Sequence, residues 1–214
     1  MKIQQFIKSL NNTEIGKGGT HECYVLVSKK VDMIESLFDN TNLQPTFNNL
    51  KNGGLVNSVH ITAGREFRIN GLGDFYRLNE VNAGDEIIFE RHDTPDKTEF
   101  FININTKEET IIFQKNSRGF EVLNLDRLKN LLVTSKYETE VIYKGISGIF
   151  IIEFKESAKK RSDSPEKTDF YSIAFDGKDI LKDLKNNEYL ELSNSFTNKI
   201  LKKVVVWQSY EFNL

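Results

Sequence analysis

The sequence predicts a mainly β protein with a few flanking helices, and three observations carry that expectation. Short runs of β-branched and aromatic residues, bounded by Gly, Asn, Asp or Pro, recur about every dozen residues. No helical pattern of roughly 10 to 15 residues separates them, which favours a barrel or sandwich over a doubly wound parallel sheet. The 16 Phe and 7 Tyr among 214 residues are too many large apolar side chains for a disordered chain.

Taken in order, the first strand signal is Val25 and Val27, followed by an amphipathic helix over 31–39. Its apolar Val31, Ile34, Leu37 and Phe38 share one side, with Asp32 and Glu35 on the other. Alternating runs at 59–62, 87–90, 100–105 and 110–113 read as half-buried strands. A second helix over 126–133 carries Leu125, Leu128, Leu131 and Leu132 on one face. A hairpin over 138–155 turns through 145–148, and the polar stretch 157–167 (SAKKRSDSPEK) has no apolar periodicity and reads as an exposed loop. A third helix after Gly177 uses Ile180, Leu181 and Leu184, a short fourth precedes Trp207, and a final strand spans 204–207. These elements divide the chain near residue 125, into a β-rich block over 1–124 and a smaller α+β region over 125–214.

Composition narrows the function. With 29 Lys plus Arg against 31 Asp plus Glu the net charge is -2, which excludes a general polyanion binder, because sequence-blind affinity for nucleic acid needs many cations facing phosphates. Any DNA-binding charge must be concentrated locally. One cysteine, Cys23, forms no internal disulfide, and the first ten residues lack the apolar core of a signal peptide, so a reducing cytoplasm is the expected location. No run approaches the ~18 apolar residues of a membrane helix. His21, His60 and His92 are scattered without ligand spacing, which argues against a structural zinc site.

Two segments carry a family resemblance. Residues 13–28 (TEIGKGGTHECYVLVS), followed by a helix ending Leu37-Phe38, resemble the opening of the EcoRII restriction endonuclease N-terminal domain: a glycine-rich turn with a histidine, a strand, then a helix. Residues 75–89 (FYRLNEVNAGDEIIF) resemble the plant "B-three" DNA-binding domain, where a Gly-Asp turn leads into a strand ending in Phe. The resemblance covers residues 10 to 115 and implies a seven-stranded open pseudobarrel that holds a duplex between two loop arms. The DNA-recognition subunits of LlaJI-type, McrB-related restriction systems are similar to this layout too. The chain lacks a GxxxxGK[ST] motif, so the resemblance implies the recognition part of such a system, with a nuclease or nucleotide-driven motor in another domain or subunit.

The first arm would be Lys17, Gly18, Gly19, Thr20 and His21. Adjacent glycines let backbone approach a phosphate, Lys17 supplies charge, and Thr20 and His21 supply donors. The second arm would span 65–77 (REFRINGLGDFYR). Arg65, Arg68 and Arg77 suit bidentate contacts to guanine or phosphate, Asn70 suits adenine, Asp74 accepts from cytosine or braces an arginine, and Tyr76 is counted among the DNA-binding residues of the arm. Gly71 and Gly73 let the segment fold tightly. A mixture of Arg, Asn and Asp is what base reading requires, and binding of this kind needs no cofactor.

Two other functions compete. Glu153-Phe-Lys155 fits half of a restriction-nuclease metal site; with Glu140, or Glu138, as second carboxylate it would hold Mg²⁺ and make the chain a complete small endonuclease. The remaining alternative is a protein-interaction module with no role on DNA. His60, His92 and Cys23 lack partners for nucleophilic or acid-base chemistry, and Lys159-Lys-Arg161 reads as a solvated basic run.

Overall fold

The computed structural model describes residues 1–17, 22–27, 32–38, 42–63, 66–125, 135–159, 167–194 and 198–214. The chain forms two compact units, one made of Met1–Lys107 with Val206–Leu214 and the other of Glu108–Val205. The division therefore falls at 107/108 and not near 125. The strand at 110–115 hydrogen-bonds into the second unit, and the last nine residues return to the first.

The first unit runs β1 (Lys2–Ser9), β2 (Val25–Val27), α1 (Met33–Leu37), β3 (Phe47–Asn49), β4 (Leu55–Val56), β5 (His60–Ala63), β6 (Phe67–Asn70), α2 (Gly73–Leu78), β7 (Glu86–Asp93) and β8 (Thr98–Asn105). The predicted strands at 59–62, 87–90 and 100–105 correspond to β5, β7 and β8. The helix expected over 31–39 is present as the single turn α1, with Leu37 and Phe38 buried as the stripe required; Val31 lies outside the described residues. Phe47, Ile69, Leu72, Ile87, Phe89 and Ile102 form a fully buried centre, with the Phe47 and Phe89 rings 5.6 Å apart in edge contact. Arg91 anchors α1 to the sheet by donating to the Ser36 carbonyl at 2.8 Å.

The second unit contains β9 (Thr110–Lys115), β10 (Phe120–Val122), β11 (Lys136–Tyr143), β12 (Ile146–Lys159), β13 (Lys167–Phe175), β14 (Lys178–Asp179), a 3-10 turn (Ile180–Asp183), β15 (Tyr189–Asn194) and β16 (Lys199–Lys203). The order β10-β9-β15-β16-β11-β12-β13 closes on itself where Phe120 and Glu121 pair with Tyr171 and Phe170, so these strands make a closed seven-stranded barrel. Closure removes exposed sheet edges and leaves inward side chains at alternate positions. Phe113, Phe120, Phe150, Ile152, Ile173 and Leu190 are fully buried in its core.

The second half is thus almost wholly β among the described residues. The helix predicted over 126–133 lies outside them. The third predicted helix is the 3-10 turn, which starts where the Asp179 carboxylate accepts from Leu181 N at 2.7 Å. The hairpin turns at Lys144-Gly145, both at positive φ, one residue ahead of the expected turn; two such residues are what a tight hairpin favours. Neither a helix before Trp207 nor a strand over 204–207 is present. Val204 to Val206 link β16 to a final strand, β17 (Trp207–Asn213), which returns to pair with β1. The first unit's main sheet then reads β17-β1-β7-β8-β3-β4, accompanied by the three-stranded sheet β2-β6-β5.

The Gly-Asp turn singled out in the sequence is a buried brace. Gly84 sits at φ +95°, and Asp85, 1% exposed, accepts from Asn82 N and Lys107 N, both at 2.8 Å. A second carboxylate gives a pH-dependent prediction. Burial pushes Asp93 upward, but hydrogen bonds from Thr98 (2.6 Å) and Arg91 (2.9 Å) outweigh it and hold the group below its ordinary value. A depressed acid stabilises the fold above its unfolded pKa and loses that contribution as pH falls through the folded one. Asp93→Asn should therefore lower stability by about 1 kcal/mol at pH 7 and flatten the acid limb below about pH 4, read by denaturant titration across pH.

Candidate functional site

The first arm is built on a buried ion pair. Lys8, on β1, and Glu14 are 4% and 1% exposed, and Lys8 Nζ sits 2.8 Å from both Glu14 oxygens while also donating to the Ser9 carbonyl at 3.0 Å. The same carboxylate accepts from Asn11 N (3.1 Å) and from Leu26 N (2.9 Å) on the far side of the arm. Glu14 N takes the Asn11 side-chain oxygen and the Glu14 carbonyl takes Tyr24 N. Glu14 therefore ties the outgoing and returning limbs together, and the bridge Ile15 to Cys23 closes the base above it. Lys17 is exposed, 3.4 Å from the Asn82 side-chain oxygen. Gly18, Gly19, Thr20 and His21 lie outside the described residues, as does Arg65.

The second predicted arm is not a loop. Residues 67–70 are strand β6, Gly71 makes a turn, and 73–78 are α2. Gly71 has φ +78°, and a Cβ there would meet the Ser58 carbonyl oxygen at 1.9 Å, so the glycine permits close backbone packing and not entry into a groove.

Because β2 pairs with β6 and β6 with β5, the return limb of the first arm is hydrogen-bonded beside the second segment, with Leu26 opposite Arg68, Arg68 opposite Thr62 and Asn70 opposite His60. Period-two alternation sends Val25 and Ile69 to the core and leaves Arg68 and Asn70 on the outer face. The Arg68 guanidinium lies 4.6 Å from the centre of the Tyr24 ring, 3.1 Å from Glu66 and 3.9 Å from Glu22. The hydrogen bond that Arg68 donates to Glu66 raises the Arg68 pKa further. Burial raises the Tyr24 hydroxyl, partly offset by the Arg68 charge. Asn70 donates to the Thr62 hydroxyl at 2.9 Å, and His60 Nδ1 is 2.9 Å from the Ser58 carbonyl. This face offers a guanidinium, an amide, a hydroxyl and an imidazole within one small sheet.

On α2, Asp74 and Arg77 form an exposed i, i+3 ion pair with each other. Tyr76 departs from its predicted role. It is 4% exposed with Phe75 at 3%, and its hydroxyl is sealed from solvent with no hydrogen-bond partner among the described residues. A six-residue helix that buries both aromatics leaves only Asp74, Arg77 and Leu78 outward, so Tyr76 packs inward and only its surroundings reach the surface. Burial drives its pKa well upward, with Glu14 and Cys23 adding to the effect. An open cleft of about 480 Å³ separates the arm base from α2, lined by Gly16, Cys23, Tyr76, Arg77, Glu80 and Asn82. Burial raises the Cys23 thiol pKa, opposed by the Arg77 charge.

Of the two carboxylate pairings open to a nuclease site, Glu140 with Glu153 is not brought together, while Glu138, opposite Ile151, stands two rungs from Glu153. Glu140 is paired opposite Ile149 and Glu153 opposite Lys136, four rungs apart along the ladder, or about 13 Å. Glu140 accepts from Ser147 at 2.6 Å, Lys155 donates to the Arg118 carbonyl at 2.7 Å, and Lys136 pairs with Glu138 at 3.0 Å. No group of three or more His, Cys, Asp or Glu able to hold a metal occurs among the described residues. The alternation of Glu and Lys on these strands is a solvated outer face of the barrel.

The residues missed by sequence reasoning are Lys8, Glu14, Glu22, Tyr24 and Thr62. Glu14 stands inside the quoted glycine-rich segment, but nothing local signals its burial; that follows from the β1 and β2 partners. Among the described residues no helix is long and apolar enough to cross a membrane. No protein-family model and no curated protein matches the chain. Among solved structures it is similar to the "Arabidopsis FUS3-DNA complex", at 13% identity over 47% of this chain and 94% of that one, with a TM-score of 0.36.

Proposed function

We propose that the first unit binds double-stranded DNA in a sequence-dependent way and serves as the recognition component of a prokaryotic restriction system, with cleavage or motor activity supplied by another domain or subunit. The observation that carries this reading is the β2–β6 pairing. It sets the return limb of a glycine-rich arm against a strand whose outer face presents Arg68 and Asn70, two groups suited to guanine and adenine edges. The charge arrangement supports selectivity over bulk affinity. Arg68 is flanked by the Glu66 and Glu22 carboxylates, which repel a phosphate but leave the guanidinium's donors available to the neutral edge of a guanine. Lys17 at the arm base, with Gly18 to His21 beyond it, supplies phosphate contacts that set register.

Selection of bound duplexes from a randomised pool, at two salt concentrations and without metal, tests the reading. The expected result is a short defined motif retained at the higher salt. Recovery of unrelated sequences, with all binding lost at moderate salt, removes base reading from this face.

A further inference from the structure

The hairpin β12–β13 outruns the barrel that contains it. β11 covers β12 only as far as Glu153, and β10 covers β13 only at Phe170 and Tyr171. Past the rung Glu156 to Phe170, where Phe170 still pairs with Glu121, the strands have only each other, in the rungs Ser157 to Asp169, Ala158 to Thr168 and Lys159 to Lys167. Within this ribbon no residue from Glu156 to Lys159, or from Lys167 to Asp169, is buried. Free two-stranded ribbons are marginal by themselves, so packing does not account for this one.

Its charge pattern is also costly. Lys159 and Lys167 stand directly opposite each other, and like charges on one rung repel. Neither has a carboxylate partner among the described residues. The neighbouring acid on that face, Asp169, is engaged by the Ser157 hydroxyl. At the opposite end of the ribbon, where it leaves the barrel, the Lys155 ammonium donates to the Arg118 carbonyl. Lys159 and Lys167 stand on adjacent strands whose backbones lie about 5 Å apart, so both side chains can reach one bridging anion.

We infer that this ribbon is a backbone clamp, in which Lys159 and Lys167 take phosphates of duplex DNA and add affinity without base preference. The inference rests on the DNA-binding reading above, to which it adds phosphate contacts made by the second unit. A two-stranded ribbon also has the dimensions that fit along a groove of B-form DNA.

The test uses the full chain carrying Lys159→Ala with Lys167→Ala, against the selected duplex and a random duplex of equal length, over a several-fold range of salt. Each lost phosphate contact removes about 0.9 from the slope of log K against log salt, so the double variant should be shallower by about two, and weaker by about ten-fold on both duplexes alike. Lys159→Arg with Lys167→Arg should keep the wild-type slope. An unchanged slope in the alanine variant overturns the clamp, as does a loss confined to the selected duplex. If the wild-type chain itself shows no salt-dependent affinity for any duplex, the DNA-binding reading falls instead. Both lysines are exposed, so an unaltered thermal melt of each variant confirms that binding and not folding is being read.

Discussion

Replacing Glu14 by alanine is expected to destabilise the first unit by about 3 to 5 kcal/mol, the cost of leaving one member of a buried ion pair without its partner. Lys8 would keep its charge in a site where its side chain is 5% exposed, with only the Ser9 carbonyl to accept from it. Asn11 N and Leu26 N would lose their acceptor in the same step. Trp207, the single tryptophan, lies on β17 with the Lys8 ammonium 5.6 Å from its ring, so its fluorescence during denaturant unfolding reports this unit. Glu14→Gln should cost less, because the amide retains one acceptor. Adding Lys8→Met to Glu14→Gln should recover the share that belongs to the stranded ammonium. A loss under about 1 kcal/mol for Glu14→Ala would mean that water reaches the pair and that the arm is not held by it.

What the chain revealed locally, and what it concealed, follow from the same physics. β7, β8 and β9 were legible because period-two alternation over several residues is a local signal, and the hairpin β11–β12 because its strands are neighbours in sequence. The Gly-Asp turn was legible as a turn, though not as the brace that Asp85 makes with residues on both sides. β3 and β4, three and two residues long, carry too little pattern to be seen. β1 pairs with β17 across the length of the chain, and β10 with β13 across half of the second unit; such pairings leave no trace at either end alone. The site was half legible for a related reason. Arg68 and Asn70 were chosen for their chemistry, but the segment 65–77 looked like a loop because Gly, Asn and Arg dominate it. Its strand character comes from β2 and β5 on either side. The burial of Tyr76 was not legible because a six-residue helix is too short to show an amphipathic period, and both Phe75 and Tyr76 turn inward.

Arg68→Ala should weaken binding to the selected duplex by about 10- to 100-fold while changing binding to a random duplex only slightly, as expected when a bidentate base contact worth about 1 to 3 kcal/mol is removed. The asymmetry follows from its surroundings. Its plane rests on the Tyr24 ring and its donors are oriented by Glu66 and Glu22, so the guanidinium is already ordered before a ligand arrives and little rotamer entropy is lost in using it. Those carboxylates also lower the local potential, so a backbone phosphate gains less there than at an unshielded cation. Lysine at the same position keeps the charge but loses both the planar fork and the stacking, and Arg68→Lys should behave nearly as alanine does. Arg77 is the contrasting case. Its side chain is 78% exposed at the end of a six-residue helix, and its partner Asp74 is 88% exposed, so Arg77→Ala should produce the smaller loss. Selection repeated with Arg68→Ala gives the decisive readout. Relaxed preference at one base position, with the rest of the motif intact, assigns that position to Arg68. An equal loss on specific and random duplexes would instead make Arg68 a phosphate contact, and base reading would pass to the residues of the first arm.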